Sequence, residues 1–316
     1  MAQEGHYILN YIDDHVIFGK KQDCQRAFDR LTELLTELGF TISIHKNVLP
    51  STEVVCLGIL INTKTFEMSV PPGKLREIRE MVENWTHKHQ CTKSQLQSLL
   101  GSLLYISKCV KYARFFLNRL LQTLRDNAKK KIFKLDKDFF RDITWFKKFV
   151  TKFNGKSFFV KTNTDGQIHL DACLTGIGAN FKNYVYQAKF PEIYRGWDIA
   201  ALEMLNILIA VRVWKQEWSK KSIEIHCDNA AVVSILNTAK TKDKNLATIS
   251  RNLFMLCAEH DISIKVSHIM GSKNEIVDLL SRWVDSDNCR KKLNSLVPNY
   301  IWLNVSKKHF ELDFDI

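Results

Sequence analysis

The sequence predicts a multidomain chain of mixed α/β and α+β class. Three observations carry this. The 316 residues are enough for two or three domains. A Pro71-Pro72-Gly73 break separates a strand-rich start from a run of amphipathic helical patterns. From residue 161, three strand patterns are followed by alternating helix and strand, the order of a mixed sheet flanked by helices.

Residues 7–19 read as strand, tight turn and strand around Asp13-Asp14. Residues 22–39 place Ala27, Phe28, Leu31, Leu34, Leu35 and Leu38 at helical spacing, and Gly39 is a stop signal. Residues 40–44 and 53–62 read as strands, with Pro50 between them. Three helices are expected after the break. The first covers about 74–85, with Leu75, Ile78, Val82 and Trp85 on one face. The second starts at Thr92, with Gln95 three residues on, a capping-box pattern. The third covers about 111–127.

Lys129-Lys130-Lys131 opens a basic connector carrying Phe133, Phe139, Phe140, Trp145 and Phe146. Such rings can stack on bases. At this spacing they are read as core. In the second half, strands are expected at 167–172, 176–182, 184–189, 222–227 and 262–268. Helices are expected at 198–218, 229–238, 245–260 and 274–284. Beyond 285 no period is readable.

The formal charge of +12 is uneven: residues 71–160 hold 20 Lys+Arg against 7 Asp+Glu. A cationic middle segment points to a polyanionic partner, most simply a nucleic-acid backbone. A solvated basic surface is the plainer alternative, and charge alone separates the two poorly. The eight cysteines form no CxxC pair and read as free thiols in a reducing compartment. No apolar run approaches a membrane span, and MAQEGHYILN lacks the features of a signal peptide. An intracellular protein of cytoplasm or nucleus, with no membrane partner, is expected. His87, His89 and Cys91 lack a second ligand cluster and read as a solvated helix end.

Four acidic residues carry the chemistry. Asp171 lies on the first strand of the second half, Glu203 in the helix 198–218, Asp228 at a strand end and Asp278 in the last helix. Phosphodiester hydrolysis needs an activated water and a stabilised leaving oxygen, which two divalent cations about 3.5–4 Å apart supply. Mg2+ (or Mn2+) prefers hard oxygen ligands, so several carboxylates must converge. Each acid alone is most simply a surface residue, and Asp228 alone is a good helix cap. Four in order, each on a suitable element, favour the metal site.

These residues resemble the four ribonuclease H motifs. The segments are Asp171-Ala172-Cys173-Leu174-Thr175-Gly176-Ile177-Gly178-Ala179, Ala201-Leu202-Glu203-Met204, His226-Cys227-Asp228-Asn229 and His268 to Arg282. The resemblance implies that Asp171, Glu203, Asp228 and Asp278 bind two magnesium ions. It implies that His268, ten residues before Asp278, is a loop histidine aiding proton transfer and product release.

Tyr11-Ile12-Asp13-Asp14 resembles the palm signature of reverse transcriptases. Leu38-Gly39-Phe40 through His45-Lys46 is similar to the palm motif whose lysine faces the triphosphate, and Cys56-Leu57-Gly58-Ile59 is similar to the primer-grip hairpin. The resemblance implies a nucleotide-metal role for Asp13 and Asp14, with Asp13 a ligand and Lys46 at the triphosphate. Leu279-Leu280-Ser281-Arg282-Trp283 and LQSLLGSLLYISK resemble DIRS-type (tyrosine-recombinase) retrotransposons. The implied domains are the C-terminal part of a palm (1–70), thumb (71–127), connection (128–160), ribonuclease H domain (161–285) and tail (286–316). The family places fingers and a further metal-binding Asp before the YxDD corner, which only ten residues precede here. The implied partners are an RNA–DNA hybrid or primer-template, and a partner chain or N-terminal segment supplying fingers.

Three readings stay open at this point. One is an N-terminally truncated reverse transcriptase–ribonuclease H that cuts the RNA strand of hybrids. Another is a catalytically dead or domesticated binding remnant. The third is a complete polymerase whose gene model is truncated.

Overall fold

The structure is a computed structural model, and it describes residues 5–157, 164–296 and 299–314. The expected boundary at 160/161 lies outside the described residues. Strands β1 (Tyr7–Tyr11) and β2 (Asp14–Phe18) form a two-stranded antiparallel hairpin with Tyr11 opposite Asp14. Its corner holds Ile12 at φ 53°, a left-handed conformation that costs a side-chain residue about 1–2 kcal/mol. Helix α1 (Lys21–Glu37) packs on β2. The strand expected over 40–44 does not form. Residues 44–46 make a short 3-10 turn, and Phe40 and Ile44 are exposed. Their alternation has no neighbouring strand to bond to, and an unpaired strand leaves its backbone groups without partners.

Strands β3 (Glu53–Cys56), β4 (Ile59–Asn62) and β5 (Glu67–Ser69) form an antiparallel meander. The 53–62 segment is thus two strands and a turn. Helix α2 (Pro72–Thr86) follows, buried through Ile78, Val82 and Trp85. Strand β6 (Gln90–Thr92) leads into α3 (Lys93–Ile106), which starts with the expected reciprocal Thr92–Gln95 capping box. Cys91 is buried within β6, so the His87–Cys91 stretch is not wholly a solvated end. Next come α4 (Ala113–Asp126), β7 (Ile132–Lys134), α5 (Lys137–Phe149) and β8 (Lys156–Ser157).

Strand β7 pairs with β6, and β8 extends the β3–β4–β5 sheet. The helices α2 to α5 therefore form one body tied by strands to the N-terminal unit. Phe133, Phe139, Trp145 and Phe146 are buried, as a core reading requires, and Phe140 packs against them. Inside this body Arg119 grips the buried Asp142 with a two-pronged pair at 2.8 and 2.5 Å.

The second half is built on a six-stranded sheet. Strands β9 (Gly166–Ala172), β10 (Gly176–Phe181) and β11 (Tyr184–Lys189) form an antiparallel meander. Helix α6 (Ile199–Trp218) crosses to β12 (Ser222–Cys227), which runs parallel to β9. Helices α7 (Ala230–Thr238) and α8 (Lys244–Glu259) lead to β13 (Ser263–His268), parallel to β12. Helix α9 (Glu275–Ser281) ends short of the expected 284. Then come α10 (Asp287–Leu296) and β14 (Ile301–Trp302), which pairs parallel with β11. The sheet order is β13-β12-β9-β10-β11-β14. This is the expected mixed α/β class with a mixed sheet and flanking helices.

Strand alternation sorts the faces. Ile168, Leu170, Ile223 and Ile225 are buried, and Tyr186 on the same face reaches α6. Asp171 points to the opposite face, where α9 lies. Helix α6 is apolar almost all round because α8 covers its other side. The unread tail wraps this unit, with Phe310 buried and Arg212 Nη1 donating to the His309 carbonyl at 2.7 Å.

The two halves are joined by packing. Phe115 of α4 stacks on Phe254 of α8 at 3.6 Å between ring centroids. Tyr112 Oη donates to the Ile262 carbonyl at 2.5 Å, and Lys111 pairs with Asp261 at 2.5 Å. Among the described residues no helix is long and apolar enough to cross a membrane.

Candidate functional site

The site forms where β9, the end of β12, the start of α6 and helix α9 meet. Asp171 is the sixth residue of β9, on the face that α9 covers. Helix α9 can lie close because β10 carries Gly176 and Gly178. A Cβ at Gly178 would sit 2.7 Å from Ser281 N and 2.7 Å from the Val277 carbonyl oxygen. Gly178 pairs with Asp171 across the strands. The gap left by one missing side chain thus sets α9 beside the first carboxylate.

Glu203 is held from two sides. Asp198 caps α6 by accepting from Ala200 N. One turn beyond Glu203, the fully buried Asn206 donates to the Asp171 carbonyl at 2.8 Å and to the Gly178 carbonyl at 2.9 Å. It accepts from Tyr186 Oη at 2.7 Å. The Glu203 carboxylate then receives Asn229 Nδ2 at 3.3 Å and the Cys227 thiol at 3.4 Å.

Asp228 follows β12 directly. It is not the helix cap: Asn229 takes that role, its side chain accepting from Ala231 N and Val232 N. Asp228 is left half-buried beside Glu203 and Cys227, with donor atoms of all three within 4.8 Å of one another. Asp278 lies in the middle of α9, and its side chain is 43% exposed. His268 is the last residue of β13, and its Nε2 lies 3.1 Å from the Asp228 carbonyl. A carbonyl only accepts, so that nitrogen carries the proton.

The neighbouring charges act on the two buried acids. Burial, followed by the charges of Asp228 and Asp278, raises Asp171 to about 6 against the hydrogen bond from Ser281. Burial, followed by Asp228 and Asp171, raises Glu203 to about 7 against the bonds from Asn229 and Cys227. Burial pushes the Cys227 thiol far up, so it stays protonated and donates. The donors gathered here are therefore mainly carboxylate oxygens. That is a hard-oxygen set suited to Mg2+ or Mn2+.

Asp13, Asp14 and Lys46 are placed otherwise. Asp13 lies at the hairpin corner, Asp14 at the start of β2 and Lys46 in the 3-10 turn, and all three are exposed. Among the described residues, no third acidic or metal-ligating group gathers with Asp13 and Asp14.

Sequence reasoning missed Asn206 and Asn274, both buried, the latter donating to the Leu170 carbonyl at 2.9 Å. A polar residue inside the apolar run of α6 was the available signal for Asn206.

No protein-family model matches the chain, and no curated protein matches it. Solved structures do. The foamy viral protease-reverse transcriptase in complex with RNA/DNA hybrid is 16% identical, with a TM-score of 0.41, over 83% of this chain and 35% of its own. A second foamy viral protease-reverse transcriptase structure, with double-stranded DNA, is 16% identical at a TM-score of 0.41 over 46% of its length. Ribonuclease H1 from the halophilic archaeon Halobacterium salinarum is 15% identical at a TM-score of 0.32. It is matched over 97% of its length by 38% of this chain. The chain spans about half or less of these foamy viral chains.

Proposed function

We propose that the chain is a retroelement reverse transcriptase–ribonuclease H segment, with a metal-dependent endonuclease that cuts the RNA strand of RNA–DNA hybrids. The reading is supported by the charges of Asp228 and Asp278 acting on Asp171, and of Asp228 and Asp171 acting on Glu203, with Asp171 and Glu203 buried and raised to about 6 and 7. Two divalent cations, when bound, supply an activated water and a stabilised leaving oxygen. The chain's own part is to fix the four carboxylates and to keep Cys227 protonated beside Glu203. His268, held on the Asp228 carbonyl, takes the role of proton carrier. The cationic helices α2 to α5 hold the duplex backbone. Such a substrate implies an intracellular setting, cytoplasm or nucleus. Magnesium-dependent cleavage of a labelled hybrid tests the reading. Asp228→Asn keeps size and removes a charged ligand, so cleavage falls on the order of 100-fold or more while the fold persists. Wild-type cleavage by that variant would sink the assignment.

A second reading concerns the β1–β2 hairpin, whose Asp13-Asp14 corner is exposed. Two adjacent acids cannot alone orient a triphosphate and two metals, and positioning dominates phosphoryl transfer. In this reading the polymerase site is completed by residues of another segment or partner chain. The chain by itself then gives no primer extension; nucleotide incorporation lost in Asp13→Asn would overturn that.

A further inference from the structure

Ser281 and Arg282 close α9, and each touches a different carboxylate of the site. Ser281 Oγ donates to Asp171 Oδ2 at 2.5 Å. Arg282 brings Nε to 2.9 Å and Nη2 to 2.7 Å of a single oxygen, Asp278 Oδ1. The two residues differ in freedom. Ser281 is buried, and its backbone lies against Gly176 and Gly178, where no side chain could fit. Arg282 is 58% exposed and can swing away.

The plain alternative is a surface pair four residues apart on a helix, which contributes little. Two observations set this pair apart. Its acid is one of a group of carboxylates that act on one another rather than an isolated one. The guanidinium charge also acts on Asp171, opposing the rise there. A planar fork on one carboxylate oxygen, beside a second carboxylate, occupies the place where a cation would be drawn.

We propose that Arg282 is the resident counter-charge of the carboxylate cluster: it holds Asp278 while the site is metal-free and is displaced when a divalent cation binds. The inference rests on the nuclease reading above. Arg282 is then a positioning residue that sets how much cation is needed to assemble the site. It also keeps the cluster from repelling itself open before substrate arrives. Ser281 is the fixed companion, keeping Asp171 oriented in both states.

The test is Mn2+ binding to the full chain by titration calorimetry, without nucleic acid, for wild type, Arg282→Gln and Arg282→Lys. Removing the competing charge tightens Mn2+ binding by about three- to tenfold in Arg282→Gln. Lysine keeps the charge without the fork and gives an intermediate value. The metal-free Tm of Arg282→Gln falls, and its rise on adding Mn2+ is larger than in wild type. Equal or weaker Mn2+ binding by a folded Arg282→Gln overturns the inference and leaves the nuclease reading standing. Absence of Mn2+ binding in wild type and variant alike overturns both.

Discussion

Asn206 Nδ2 donates to the main-chain carbonyl of Asp171 at 2.8 Å. The bond joins the helix that carries Glu203 to the strand that carries Asp171. It acts through the backbone, so the Asp171 carboxylate stays available. The same amide nitrogen reaches the Gly178 carbonyl, and its oxygen takes the Tyr186 hydroxyl. One buried side chain thus fixes the depth of α6 over two strands.

Asn206→Ala removes the side-chain donor to the Asp171 and Gly178 carbonyls and leaves the Tyr186 hydroxyl only the longer bond, 3.2 Å, to the residue-206 main-chain carbonyl. Such groups are expensive when unpaired, and a loss of about 2–4 kcal/mol is expected. Urea denaturation measures it. Cleavage should fall even where the variant is folded, because Glu203 loses its anchor one turn away.

The raised acids make the metal-free protein sensitive to pH. Asp171 and Glu203, at about 6 and about 7 when folded, hold protons that the unfolded chain releases near pH 4. The folded state therefore binds more protons, and stability falls as pH rises from about 4 to about 7. The loss is on the order of a few kcal/mol. Thermal denaturation without metal should give a higher Tm at pH 5.5 than at pH 8. The gap should narrow in Asp171→Asn/Glu203→Gln and on adding Mg2+ to wild type.

Gly178→Ala places a methyl against the backbone of α9. Neither backbone can turn aside as a flexible side chain would. A cost of about 1–3 kcal/mol is expected from overpacking. Displacement of α9 moves Asp278 and lowers cleavage more than stability. Equal cleavage by wild type and variant at matched folded fraction would show that α9 need not lie so close.

The basic connector predicts salt-sensitive binding. Lys129, Lys130 and Lys131 are exposed. Each phosphate contact contributes about −0.9 to the slope of log K against log salt on duplex DNA. Changing all three lysines to glutamine should flatten the slope by about 2–3 if each meets a phosphate. Filter binding on a hybrid at several salt concentrations checks this, and an unchanged slope moves the gripping surface elsewhere.

The placement of the acids was legible in the sequence because each sits on, or directly after, an element with a clear period. The 198–218 and 222–227 patterns placed Glu203 and Asp228 near their neighbours. What joins them was not legible. Asn206 bonds residues 35 and 28 positions away, and no local pattern encodes such a pairing. Helix α5 had a readable start, since Asp136 accepts from Phe139 N, but its dense aromatics and lysines hid the spacing. The false strand at 40–44 shows the opposite failure: alternation was present, and a pairing edge was not. The tail had no period to read because its short pieces are placed by contact with α6, α8 and β11.

The placement of β14 has a consequence for how the chain behaves at high concentration. An open sheet edge is a template on which another chain can add a strand. Strand β14 covers the start of β11 at Tyr184 and Val185, and the opposite edge, β13, displays the charged Lys265. The β1–β2 hairpin has no such guard: it is a ribbon of two strands with Tyr7, Leu9 and Ile12 open to solvent. Self-association on warming should therefore start from the N-terminal ribbon, while the six-stranded sheet stays folded.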